Sequence, residues 1–156
     1  MAKVELYTDG AARGNPGPGG YGTILVYGKH EKELSGGFRL TTNNRMELLA
    51  VIVGLEALTK PGLDVLVTSD SKYVVESVEQ GWVFNWEKKG FKDKKNPDLW
   101  RRFLPLYRQH NVKFKWIKGH NMHHYNERCD VLATAAADGY DLQVDAAYEN
   151  DKANLF

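Results

Sequence analysis

The connections between regular segments change character once along this chain, and that change dictates the fold class. Residues 3 to 9 alternate as a strand does, Arg13-Gly14-Asn15-Pro16-Gly17-Pro18-Gly19-Gly20 is dense turn chemistry, and Tyr21 to Tyr27 forms a second strand. Gly28-Lys29-His30 reads as a hairpin turn into a third strand, Glu31 to Leu40, kinked near Gly36-Gly37. Beyond it, helical patterns over Asn43 to Leu58, Ser71 to Gln80, Asp98 to His110 and Asn126 to Asp138 surround strands at Leu63 to Ser69 and Asn111 to Ile117. Short turns force antiparallel pairing, whereas helical crossovers produce parallel neighbours. The expectation is an α/β domain built on a mixed sheet with helices on its faces.

A chain of 156 residues is long enough for one well-filled core. The main domain is expected to span residues 1–140. Gly81 to Pro97 lies inside it as a protruding insert, and residues 141–156 form an acidic tail without period, predicted to be mobile. No apolar run approaches the roughly 20 residues of a membrane span. Met1-Ala2-Lys3-Val4 passes directly into a strand, leaving no room for a signal peptide, and the single cysteine, Cys129, suits a reducing cytosol.

Charge is distributed unevenly. The net charge is +1, yet Trp86 to Lys118 carries eleven Lys or Arg against three acids, a local surplus of eight. A basic stretch in a near-neutral protein points to a localised polyanion contact, although a solvated charged loop has the same composition. Trp82, Phe84, Trp86, Phe91 and Trp100 interleave with Lys88, Lys89, Lys92, Lys94 and Lys95, a mixture that suits a surface following a nucleic-acid backbone. Packing of the insert onto the domain would equally account for Trp82 and Trp100.

Four acids stand where regular elements begin or end. Asp9 and Asp70 close two strands, and Glu47 and Asp130 fall in the first turns of two helical patterns. Each has an ordinary explanation: an Asp-Gly turn at Asp9, capping-box spacing from Asn44 to Glu47, an N-cap at Asp70, and a helix-dipole charge at Asp130. Together, at elements that converge on one sheet, they compose an oxygen-rich site for hard divalent cations, the usual machinery of phosphodiester hydrolysis. His120, in a loop after Lys118-Gly119, is placed to move protons near neutral pH. Asn15, Thr42, Asn43 and Asn44 flank Asp9 and Glu47 with small groups able to read phosphates and 2′-hydroxyls.

These residues fall within five ordered motifs: Tyr7-Thr8-Asp9-Gly10, the glycine-rich Gly14 to Gly22, Thr41-Thr42-Asn43-Asn44-Arg45-Met46-Glu47-Leu48, Ser69-Asp70-Ser71, and Asn126-Glu127-Arg128-Cys129-Asp130. From about residue 3 to 138 the chain resembles type 1 ribonuclease H of the bacterial kind. The resemblance implies a five-stranded sheet in the order 3-2-1-4-5. It implies cleavage of the RNA strand of an RNA/DNA hybrid by a monomer, giving 5′-phosphate and 3′-hydroxyl ends. It assigns Asp9, Glu47, Asp70 and Asp130 to two Mg2+ ions, with Mn2+ as the alternative, and His120 to proton transfer or product release. Asn15, Asn43 and Asn44 would lie along the minor groove, and Thr42 would help hold a DNA phosphate. Lys72 and Trp82, with the lysines of the basic handle, complete the expected substrate contacts.

The chain departs from the family pattern at several points. Arg39-Leu40 stands where arginine usually precedes the Thr-Thr pair, and Lys72 replaces a common glutamine. The handle is shorter, and the loop His120-Asn121-Met122-His123-His124-Tyr125 lacks the usual Ala-Gly and Pro-Glu pairs. A different nuclease of the same fold, or a hybrid-binding module that does not cut, are the rival readings. The complete acid set argues for cleavage.

Overall fold

The computed structural model describes residues 3–119 and 123–153. Strands β1 (Lys3–Ala12), β2 (Gly17–Tyr27) and β3 (His30–Thr41) lead into helix α1 (Asn43–Glu56), then β4 (Asp64–Ser69), α2 (Lys72–Glu79), α3 (Trp82–Lys88) and α4 (Pro97–Gln109). Strand β5 (Asn111–Trp116), α5 (His124–Ala137) and α6 (Ala146–Ala153) follow. The strands form one sheet in the order β3-β2-β1-β4-β5. β1 pairs antiparallel with β2 and parallel with β4, as the two kinds of connection require.

Alternation along β1 divides the molecule into two layers. Leu6 enters the main core with Met46, Leu48 and Ile52 of α1, whereas Tyr7 faces the opposite side and meets Ile24 and Cys129 of α5. α1, α2 and α4 therefore cover one face, and α5 covers the β1–β3 part of the other. Trp100 and Phe103 are fully buried in the larger core, T-shaped with ring centroids 5.5 Å apart. Each such side chain contributes roughly 1.5–3 kcal/mol by leaving water.

The glycine-rich stretch is strand as much as turn. β1 runs on to Ala12 and β2 already begins at Gly17. Its glycines admit α5 to the sheet: a Cβ at Gly20 or Gly22 would lie 2.4 Å from a backbone oxygen of that helix, Ala133 or Cys129 respectively. No side chain fits there, so α5 rests directly on the backbone of β2.

Two expectations about irregular segments are revised. The insert contains α3, and Val83 and Phe91 are buried in the main core, so the handle is anchored at both ends. The acidic tail, expected to be mobile, is docked. Phe38 bridges Gln143, and the Arg39 guanidinium donates to both Glu149 oxygens at 2.9 and 2.8 Å. Asp145 is buried, accepting from Thr41 Oγ1 at 2.7 Å and from Arg45 at 2.7 and 2.9 Å. Arg45, itself buried, also donates to Asp98 at 2.9 and 2.7 Å. The reason is physical: Arg45 in α1 has to be neutralised in a dry setting, and Asp145 supplies half of the charge that does it. Burial works against the Arg45 charge, but these paired carboxylates hold its pKa above the ordinary value.

Candidate active site

The register of the two central parallel strands sets the site. Tyr7 pairs with Thr68, so two residues further on Asp9 and Asp70 emerge level at neighbouring strand ends. Gly10 then lets α1 approach. A Cβ there would sit 2.3 Å from the backbone nitrogen of Glu47, closer than any real contact. Because residue 10 has none, the first half of α1 crosses the end of β1 and delivers Glu47 to Asp9. Oxygens of Asp9, Glu47 and Asp70 come within 4.8 Å of one another. Asp130 lines the same cleft, of about 630 Å³, but stands outside this tight group of three.

Local capping differs from the sequence expectation. Thr42 caps α1, accepting from the Arg45 N–H at 3.2 Å, and Ser71 caps α2, accepting from the Val74 N–H at 3.2 Å. Asp70 and Glu47 are thus free of the capping duties that their positions suggested. Glu47 and Asp130 occupy second rather than first helical turns. A carboxylate there points sideways from the helix into the cleft, while one in the first turn would be drawn to the exposed N–H groups.

The electrostatics are those of acids crowded out of water. Burial, reinforced by repulsion from Asp70, pushes Asp9 up to about 7, even though the Gly10 N–H donates to its Oδ1 at 2.9 Å. Burial first, then Asp9 and Asp70, drives Glu47 well above the usual carboxylate range. Among the described residues, only Glu47 Oε1 and Asn126 Oδ1 are buried side-chain polar atoms without a hydrogen-bond partner, and both residues line this cleft. An all-oxygen donor set with a bare buried carboxylate oxygen fits a hard divalent cation.

The remaining expected contacts sit at different distances from this centre. Asn43, Asn44 and Lys72 line the cleft. Asn15 and Asn43 knit its rim: Asn15 Oδ1 accepts from the Asn43 N–H at 3.0 Å, and Asn43 Oδ1 accepts from the Ala12 N–H at 2.9 Å. Thr42 spends its hydroxyl oxygen on the helix cap. Trp82 is exposed on α3, and Lys88, Lys89, Lys92, Lys94 and Lys95 are exposed on the handle; none of them lines the acid cleft. Lys94 is over the Trp86 ring, 5.3 Å from its centroid. Trp100, by contrast, is wholly core. His120 lies outside the described residues; Gly119 before it approaches Asp70, where a Cβ would come within 3.0 Å of Oδ2.

Two residues at the site carry no obvious sequence signal. Trp116 donates from Nε1 to the Asp70 carbonyl oxygen at 3.0 Å, and Lys72 lies over its ring, 5.1 Å from the centroid. The alternating run Lys113-Phe114-Lys115-Trp116 places it on a strand but not against an acid. Asn126 is hidden in the motif of Asp130, four residues earlier on the same helical face.

The RNase H family model matches residues 1–138. A ribonuclease H of Lachnoclostridium phytofermentans is 58% identical over 158 aligned positions, covering 94% of this chain and 99% of its own length. One from Rippkaea orientalis is 54% identical, covering 95% and 93%. Among solved structures, LC11-RNase H1 in complex with an RNA/DNA hybrid superposes with a TM-score of 0.66 at 27% identity, covering 86% of this chain and 96% of that one.

Proposed function

Because the chain belongs to the ribonuclease H family, we propose that its carboxylate cleft is where it hydrolyses the RNA strand of RNA/DNA hybrids, leaving 5′-phosphate and 3′-hydroxyl ends. The family is metal-dependent, and Asp9, Glu47, Asp70 and Asp130 are the residues that would hold two Mg2+ ions, with Mn2+ as a substitute. When bound, such a pair supplies an activated water and stabilises the leaving 3′-oxygen. The observation that carries this reading is the bare, buried Glu47 oxygen beside Asp9 and Asp70.

The protein's own groups do the rest. The Gly10 N–H fixes one Asp9 oxygen, and Asp9 would be held in that orientation when it binds a cation. The Trp116 indole pins the backbone of Asp70. Asn15, Asn43 and Asn44 present a polar rim suited to 2′-hydroxyls, which both donate and accept. Thr42 is assigned a contact to a DNA phosphate. Handle lysines attract the hybrid's phosphate backbone, and Lys72 adds a charge at the cleft. His120 is assigned the departing proton. All the acids come from one chain, so a monomer suffices, and the buried thiol of Cys129 suits a cytosolic setting.

Labelled RNA/DNA, RNA/RNA, DNA/DNA and single-stranded RNA, each incubated with Mg2+ or EDTA, test the proposal. Cleavage confined to the RNA of the hybrid and abolished by EDTA is expected. Tight hybrid binding without cleavage in Mg2+ would overturn it.

A further inference from the structure

Asn126 has no task in the fold that accounts for its position. It is 4% exposed and occupies the third position of α5, whose N-cap is His123. A glutamate or glutamine there ordinarily reaches back to the cap backbone and closes a capping box. Asn126 does not: its backbone N–H donates to His123 Nδ1 at 3.4 Å, while its side-chain oxygen accepts from nothing among the described residues. Buried polar groups are nearly always paired, so an orphan acceptor in a cleft signals a partner that arrives from outside.

The location says which partner. Asn126 lines the same cleft as Asp9, Glu47 and Asp70, and Asp130 stands one helical turn further along. A Mg2+ ion keeps several of its waters when carboxylates bind it. Those waters direct their hydrogens outward, so the walls around the ion must present acceptors. A fifth carboxylate would add repulsion to a cluster already strained by it, whereas an amide oxygen accepts without charge.

We propose that Asn126 is a positioning residue of the cation site, its side-chain oxygen accepting a hydrogen bond from water held by the ion. This rests on the metal-binding reading of the four acids given above. Partners of this outer kind tune metal affinity without touching the ion.

The test is Mg2+ titration of the hybrid-free protein followed by NMR. The N–H of Gly10, bonded to Asp9, and the indole N–H of Trp116, bonded to the Asp70 carbonyl, serve as reporters. Asn126→Ala is expected to weaken Mg2+ binding about tenfold with a metal-free unfolding temperature close to that of the wild type. Asn126→Asp keeps the shape and the acceptor but adds charge, and is expected to bind Mg2+ more tightly than the wild type. A wild-type dissociation constant in either folded variant would overturn the proposal, as would an Asn126→Ala protein that loses stability but not affinity. Should Asn126→Ala not fold, Asn126→Asp decides alone. A wild-type protein whose reporters do not respond to Mg2+ would overturn the metal reading itself, a result distinct from variant curves that overlay a responsive wild type.

Discussion

Asp9 carries a cost that the fold tolerates for the sake of a charge it needs. Its pKa is raised from the ordinary carboxylate range to about 7 by burial and by Asp70, so the folded state holds a proton that the unfolded chain would release. The stability associated with that proton is fully present below about pH 4 and is lost as pH rises through about 7. The metal-free protein should therefore lose on the order of 4 kcal/mol across this window, and Mg2+ at pH 8 should restore part of it. Urea unfolding at a series of pH values, with and without Mg2+, checks the sign. Asp9→Asn should remove Asp9's share of this pH dependence while leaving that of buried Glu47, raise metal-free stability and reduce cleavage by roughly a thousandfold, about 4 kcal/mol of barrier. Retained cleavage would remove Asp9 from the chemistry. Cys129 makes a simpler case. Buried, with its thiol donating to the Tyr7 carbonyl at 3.1 Å and its pKa pushed far up, it should ignore thiol reagents until the protein unfolds.

Elements reach their places here through what their contact surfaces lack. α5 lies on β2 because residues 20 and 22 have no side chain, and Gly22→Ala should force a Cβ into the Cys129 carbonyl. A loss of about 1–3 kcal/mol is expected, with weaker Mg2+ binding because Asp130 moves with the helix; thermal melts and metal titration read the two effects. The handle is an element of another kind, held by Val83 and Phe91 and exposing its lysines to solvent. Neutralising Lys88, Lys89, Lys92, Lys94 and Lys95 should raise KM and flatten its salt dependence while leaving kcat nearly intact; an unchanged salt slope would exclude the handle from binding. At this scale the sequence is legible where a pattern repeats. Alternation and helical period give the elements and the mixed sheet, the family resemblance gives the strand order, and element ends mark the acids. It is illegible where a residue's task is defined across space. Glycine reads as a turn when it is in fact a seat for a helix, and nothing local distinguishes Asn126 from a capping residue or attaches Trp116 to Asp70. Thr42 rather than Asn44 as the cap of α1 depends on backbone angles that composition does not encode.

As a whole, the molecule is closed by a segment whose composition suggests only a solvated tail. Arg45 is reached from both sides, by Asp98 of α4 and Asp145 ahead of α6, and its burial leaves no water to replace either. Asp145→Ala should therefore destabilise the protein by about 3–5 kcal/mol, far more than loss of the exposed Arg13–Asp138 pair, for which no more than about 1 kcal/mol is expected. Cleavage of hybrids measured well below the melting temperature should change little, since the acids lie elsewhere; a matched loss of activity and stability at low temperature would tie the tail to the site. The pairing also has a temporal side. Asp145 follows Arg45 by 100 residues, which at about 5–20 residues per second is roughly 5–20 s of synthesis. Throughout that interval a nascent chain holds an arginine that cannot be buried at full profit, so α1 has reason not to settle on the sheet. The enzyme would then mature in one late step, once its acidic segment is free to reach Arg45, rather than strand by strand as its early hairpins form.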